Sequence, residues 1–263
     1  MLNITSIKNS RIINLQKLEK ARERKLQNLF VIEGLKELSI AVVGGYEVKS
    51  IFFCSSIITE NEIINIINGN RQIELIEISE EVFQKLAYRE GSGGLIVTAV
   101  PQKHSLNSLI LSSNPLVIIL ESVEKPGNLG AILRTADAAN IDAVIVCDGQ
   151  TDVYNPNVIR SSLGCVFTTP VAIASSQETI DWVKKNNIKI YATALSASKA
   201  YHTIDYTEPS AIVMGTESTG LSDIWLKNAT QNIIIPMGGK IDSMNVSNAS
   251  AIVVFEAKRQ RGF

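Results

Sequence analysis

The chain reads as an α/β protein in which a C-terminal parallel-sheet domain is preceded by a smaller α/β domain. Three observations predict this. Short apolar runs alternate with helix-like segments along the whole chain; the runs after residue 115 are apolar enough to be covered on both faces; and a polar, Ser- and Asn-rich stretch bounded by Pro101 and Pro115 separates two such series. The expected boundaries are therefore 1–100, a linker at 101–115, and 116–263.

The first series opens with a basic helix from Ser10 to Gln27. Phe30-Val-Ile-Glu follows as a strand, and a helix then runs through Ala41 to a stop at Gly44-Gly45. Val48 to Cys54, Ile73 to Ile78 and Gly94 to Val100 read as further strands, with helical segments at Glu60 to Ile67 and Ser79 to Ala87 between them. In the second series the strands are Leu116 to Leu120, Ala143 to Cys147, Val166 to Ala172, Ile188 to Thr193, Ala211 to Met214 and Ile233 to Ile235, with a last helix from Asn248 to Arg259. In parallel sheets of this kind, ligands bind beyond the carboxyl ends of the strands. Three segments at such ends are crowded with Gly, Asn, Ser and single charges: Glu121 to Asp137, Ile212 to Leu221 and Ile233 to Ser250.

Composition sets the outer bounds. With 263 residues, 45% apolar and 19% charged, the chain has ample material for packed cores. Its apolar runs fall far short of the roughly 20 residues of a membrane helix, and its N-terminus lacks the apolar centre of a signal peptide, so a cytoplasmic location and no membrane partner are expected. Cys54, Cys147 and Cys165 are widely spaced, without a CxxC pair, which argues against a disulfide framework and a metal site. Net charge is −1, but residues 1–30 hold seven basic side chains against two acidic ones, a local balance of +5 that leaves −6 on the rest. Such a stretch can grip a phosphate backbone, with Lys8, Arg11, Arg22 and Arg24 as candidate contacts. The same charges also have ordinary surface-pair spacing on a solvated helix face.

The usual nucleotide and hydrolase signatures are missing. No GxGxxG or GxxxxGK[ST] is present, and His104 and His202 are not near a Ser or Cys elbow.

Read together, the three crowded segments are specific. Glu121-Ser-Val-Glu-Lys-Pro-Gly-Asn128-Leu-Gly-Ala-Ile-Leu-Arg134 resembles the first motif of the SpoU/TrmH RNA ribose methyltransferases of the SPOUT superfamily, with Asn and Arg six residues apart. Met214-Gly215-Thr-Glu217-Ser-Thr-Gly220-Leu221 resembles the second, and Ile235-Pro-Met-Gly-Gly-Lys-Ile-Asp-Ser243-Met244-Asn245-Val-Ser247 the third. Phe30-Val-Ile-Glu-Gly and Arg89-Glu-Gly-Ser-Gly-Gly-Leu are similar, more loosely, to the family's N-terminal substrate-binding domain. The second domain departs from the pattern at Met244, where Leu is usual, and at Asn248.

The resemblance implies a deep trefoil knot in the C-terminal domain, S-adenosylmethionine as cofactor, a homodimer, and 2′-O-ribose methylation of structured RNA. Knots are nearly absent from other folds, so strand periodicity could not have suggested one. Ribosomal RNA is favoured over transfer RNA because the extra N-terminal domain adds reach. By motif position the catalytic set is Asn128, Arg134, Glu217, Ser243 and Asn245. Gly215, Ile235 and Met244 would hold the cofactor, with Thr193 to Leu195 as the neighbouring loop, and Arg160 in Asn155-Pro-Asn-Val-Ile-Arg160 is a candidate RNA or dimer contact. Asn128, Ser243, Asn245 and Ser247 also have the chemistry of helix caps. A non-catalytic RNA-binding or ribosome-assembly factor could keep such a fold, but would be expected to lose Arg134 or Asn245.

Overall fold

In the computed structural model, residues 2–88, 92–149, 151–195, 198–216 and 218–263 are described. The chain forms two compact units, one built from Met1–Lys103 with Asp152–Thr168, the other from His104–Thr151 with Thr169–Phe263.

The first unit contains β1 (Leu2–Ile4), α1 (Ser10–Lys17), α2 (Ala21–Gln27), β2 (Phe30–Glu33), α3 (Leu35–Val43), β3 (Val48–Phe53), α4 (Glu60–Ile66), β4 (Glu74–Ile78), α5 (Glu80–Leu86) and β5 (Leu95–Ala99). Its sheet has the order β1-β4-β3-β5-β2, with β1, β4 and β3 parallel and β5 antiparallel to both β3 and β2. Local chemistry explains several ends. Thr59 and Glu62 form a capping box at the start of α4, Ser79 caps α5, and α2 stops at Asn28, which takes the left-handed conformation that Asn tolerates.

The expected single helix from Ser10 to Gln27 is two helices. Leu18, Glu19 and Lys20 form a turn, and Nη1 of Arg24 donates to the carbonyls of Leu18 and Glu19, both at 2.8 Å. Its Nε donates to Asp152 Oδ2 at 2.7 Å, and the residue is only 3% exposed. Arg24 thus satisfies main-chain oxygens that a continuous helix would have paired, and its guanidinium is not available to RNA phosphate. That corrects its expected role.

The second unit contains β6 (Leu116–Glu121), α6 (Pro126–Ala138) and β7 (Ala143–Cys147). The chain then contributes α7 (Pro156–Ser161) to the first unit. It completes the second with β8 (Val171–Ala174), α8 (Ser176–Lys185), β9 (Lys189–Thr193), β10 (Lys199–Ala200), β11 (Ser210–Met214), α9 (Asp223–Asn228), β12 (Gln231–Ile234) and α10 (Val246–Arg261). The sheet order is β10-β12-β9-β11-β6-β7-β8, and every pairing is parallel. Val117, Ile119, Ile145, Val213 and Trp225 belong to one buried core, as expected for strands covered on both sides.

Several expectations change. Val166 and Phe167 are not in a strand. Gly164, at φ +84°, turns the chain into a single 3₁₀ turn, Cys165–Phe167, and the strand begins later, at Val171. Phe167 instead packs edge-on to Tyr46 at 4.9 Å, in a cluster where Phe30 stacks on Tyr154 at 4.3 Å, and this draws Asp152–Thr168 into the first unit although the sequence reading set it within 116–263. Short apolar runs look alike whether they enter a sheet or plug a core. The stretch proposed as a linker is also not slack from His104 onward. The Ile173 N–H donates to the His104 carbonyl at 3.1 Å, and Leu106, Leu109 and Leu111 pack against the core of the second unit. The short strands β1 and β10 were not anticipated, being only 3 and 2 residues long.

Removing the Arg24 side chain leaves the Asp152 carboxylate and two main-chain carbonyls short of a donor. Arg24→Ala should therefore lower unfolding stability by about 3 kcal/mol, read from urea denaturation. An unchanged midpoint would mean that the buried guanidinium does not hold the α1–α2 turn.

Candidate functional site

Because the seven strands are parallel, their carboxyl ends lie along one edge of the sheet, and β12, β9, β11 and β6 are consecutive there. The loops that follow these four strands carry all three motif segments and Thr193 to Leu195. Sheet order alone brings together stretches more than 100 residues apart in sequence.

After β6, Ser122 takes φ +52° and the chain turns into α6, which begins with Pro126 in its first turn, where no main-chain N–H is needed. The cap position is Lys125, so Asn128 is inside the helix and does not serve as its N-cap. It is 9% exposed, and its Oδ1 accepts a hydrogen bond from Asn245 Nδ2 at 3.0 Å. Asn245 is itself the N-cap of α10: its Oδ1 accepts from the main-chain N–H of Ser247 at 3.0 Å and from the Ser247 hydroxyl. One amide therefore fixes the starts of two helices, capping one and bonding to the other. The last helix accordingly begins at Val246, earlier than Asn248 as expected from the sequence.

Arg134 lies on α6 about 9 Å further along the axis than Asn128. It is exposed and makes no hydrogen bond or ion pair among the described residues. Helical side chains lean toward the N-terminus, so a long one at this position extends back toward the strand ends. Ser243 is exposed and its hydroxyl donates to Asp242 at 3.2 Å, outside the Asn128–Asn245 pair. Glu217 lies outside the described residues, as do Arg89, Glu90 and Gly91 of the N-terminal resemblance.

The loop after β11 is unusually tight. Thr216 and Gly220 exchange two main-chain hydrogen bonds at 3.1 and 3.0 Å, with Gly220 at φ +70°. A Cβ on Gly215 would come within 2.3 Å of the Gly220 carbonyl carbon. Beside this loop is a cleft of about 250 Å³, lined by Val123, Glu124, Lys125, Gly215, Thr216, Ser218 and Val246. Of the five expected cofactor contacts, Gly215 lines this cleft. Ile235 and Met244 are half-buried in adjoining loops, Leu195 is exposed, and Thr193 donates its hydroxyl to the Val213 carbonyl at 2.9 Å.

Sequence reasoning missed the part played by Glu121. This carboxylate ends an otherwise apolar strand and is 7% exposed. It accepts from the Ser222 N–H at 2.8 Å, from the Ser222 hydroxyl, and from Ser176 Oγ at 3.4 Å, while the Trp225 indole donates to that same Ser176 Oγ at 2.9 Å. The network ties the tight loop to the end of β6. The available signal was an acid as the last residue of a continuously buried run, since buried acids are rare unless partnered.

The residues around the cleft fit S-adenosylmethionine. Valine side chains and the close main chain at Gly215 suit a flat ring, and the hydroxyls of Thr216 and Ser218 with the charges of Glu124 and Lys125 suit a polar amino-acid tail. Gly215→Ala should weaken S-adenosylmethionine binding at least tenfold in titration calorimetry, because the loop must open to admit a methyl group. Retained affinity would show that the pinched loop does not shape the cleft. Glu121→Ala should cost about 1 kcal/mol in urea denaturation, since it removes the shared acceptor that joins Ser222 to the buried Ser176 hydroxyl. An unaltered transition would remove the network from the fold's support.

Comparisons with known proteins agree with this geometry. Residues 115–255 match the SpoU rRNA Methylase family and residues 9–97 the MRM3-like substrate binding domain. The chain is 30% identical over 259 residues to the Bacillus subtilis (strain 168) 23S rRNA (guanosine(2553)-2′-O)-methyltransferase RlmP, a match covering 98% of this chain and 100% of that one. A solved RNA 2′-O ribose methyltransferase superposes with a TM-score of 0.86 at 37% identity, covering 100% of both chains. The AdoMet-bound rRNA methyltransferase from Sinorhizobium meliloti superposes with a TM-score of 0.90 at 28% identity, covering 98% of this chain and 97% of that one. With the three motif loops gathered at one sheet edge and more than half of the chain matched, this protein belongs to the SpoU rRNA methylase family.

Proposed function

We propose that this chain methylates the ribose 2′-hydroxyl of a nucleotide in ribosomal RNA, using S-adenosylmethionine. The observation that carries this reading is the Asn128–Asn245 hydrogen bond. It joins the first and third motif segments at the sheet edge, on the same helix that presents an unengaged Arg134. The names of the relatives, which act on 23S rRNA or are solved with AdoMet, support it.

When bound, S-adenosylmethionine supplies an electrophilic methyl group on a sulfonium. The protein's task is then alignment and charge. A ribose hydroxyl is a poor nucleophile until its proton is drawn away, and an arginine stays protonated, so Arg134 is badly suited to be a base. Its planar fork of donors is suited to clamping the RNA phosphate beside the reacting ribose. That places a phosphate oxygen as proton acceptor and holds the hydroxyl in line with the methyl group. Asn128 and Asn245 hold the frame. Glu217 and Ser243 remain candidates for the same catalytic set, and Thr193, Leu195, Ile235 and Met244 for the cofactor loops.

Lys8, Arg11, Arg22 and Arg160 are the RNA contacts in this reading. Lys8 and Arg22 are exposed, whereas Arg11 pairs with Glu74 at 2.6 Å. A trefoil knot, a homodimer and a cytoplasmic location belong to the same reading. The sheet order supports the knot, because the late strands β11 and β12 flank the earlier β9. The exposed rings of Phe255 and Phe263, 6.3 Å apart, support a dimer through the C-terminal helix. No helix among the described residues is long and apolar enough to cross a membrane, and no cluster of His, Cys, Asp or Glu among them could hold a metal.

The test is methyl transfer from isotope-labelled S-adenosylmethionine to unmodified ribosomal RNA, with labelled nucleosides identified by mass spectrometry. Arg134→Ala should lose about 10²-fold or more in transfer rate while binding S-adenosylmethionine within twofold of the parent. Full turnover by Arg134→Lys would refute the bidentate clamp, and absence of any 2′-O-methylnucleoside would refute the activity.

A further inference from the structure

We propose that Tyr88 and Arg160 form a stacking subsite for a single unpaired RNA nucleotide in the first unit. The proposal rests on the RNA-modifying reading above and extends it to how the substrate is held.

The Arg160 guanidinium carbon lies 3.9 Å from the centre of the Tyr88 ring, a cation–π contact that covers one face of the ring. Both partners are held in place. The Tyr88 main-chain N–H donates to Glu33 Oε1 at 2.9 Å, and Arg160 Nη2 donates to Asn157 Oδ1 at 3.0 Å within α7. Tyr88 is nevertheless 54% exposed, which leaves much of the side chain open to solvent. The pair stands at the rim of a cleft of about 60 Å³ with Leu15, Val31 and Ile96 among its apolar lining and Gln16, Glu33 and Lys85 among its polar lining.

These features together match one ligand chemistry. The cleft is too small to swallow a nucleobase, so the base lies on the open face of Tyr88 with one edge above the apolar lining. Gln16 offers hydrogen-bond groups to that edge. The remaining in-plane N–H groups of Arg160 meet the phosphate, with the Lys85 ammonium, paired to Glu81 at 2.9 Å, close by. A base inside a helical stack hides its faces; only an unpaired, splayed nucleotide can present one to tyrosine. A duplex would meet this surface through phosphates alone and gain nothing from the ring.

The full-length protein is titrated by fluorescence anisotropy against two labelled RNA hairpins, identical except that one carries a single bulged nucleotide. The parent protein should bind the bulged hairpin roughly tenfold more tightly, the size expected from one base on one aromatic ring. Tyr88→Ala should erase that preference and Tyr88→Phe should retain it. Arg160→Ala should weaken both complexes and reduce the preference. A parent protein that does not distinguish the hairpins, or a Tyr88→Ala protein that still does, overturns the proposal. S-adenosylmethionine affinity and methyl transfer to ribosomal RNA are measured on the parent protein. Their presence without a bulge preference overturns the subsite alone, and their absence overturns the enzymatic reading.

Discussion

Seven strands that all run the same way impose the constraint from which the site follows. A parallel strand must be covered on both faces, which is why β6, β7 and β11 are buried along their whole lengths. Parallel direction also sends every strand's carboxyl end to one edge, and the order β12-β9-β11-β6 makes the motif-bearing loops neighbours. Two polar side chains then fasten these loops by serving two elements each. Glu121 binds the tight loop after β11 to the end of β6, and Asn245 caps α10 while bonding to Asn128 in α6. Glu121 and Asn128 are buried, and buried polar groups are costly unless partnered, so these bonds make the arrangement specific.

The division of labour among the charged residues follows from burial. Arg24 and Arg134 are the same residue type and both lie on helices, yet one is 3% exposed and spends its donors on carbonyls and a carboxylate, while the other faces solvent and makes no hydrogen bond or ion pair among the described residues. The first is a structural bolt and the second is placed to meet a ligand. Arg160 is intermediate, half-buried, with its face on Tyr88 and one amino group on Asn157. Charge counting treats the three alike.

Much of this was legible in the chain itself. Most strand positions follow from apolar runs bounded by Gly, Pro and polar turns, and Asn128, Arg134, Gly215 and Asn245 are singled out by the resemblance of three ordered segments to the family's motifs. Where the reading failed, a tertiary contact had overridden local pattern. Val166 and Phe167 have strand-like neighbours but plug an aromatic cluster, the Ser10–Gln27 helix breaks where Arg24 replaces its hydrogen bonds, and His104–Pro115 has linker composition but packs through its leucines.

Most of the elements and the residue types capable of the chemistry can be read from the chain alone, because periodicity, capping and side-chain type are local properties. Tertiary structure alone decided which of them meet. The Asn128–Asn245 bond spans 117 residues and the Glu121–Ser222 bond 101, and no local preference encodes a contact at that separation. Such pairs form only when packing of the whole sheet sets strand order, since it is the burial of both faces that repays the entropy of closing those loops.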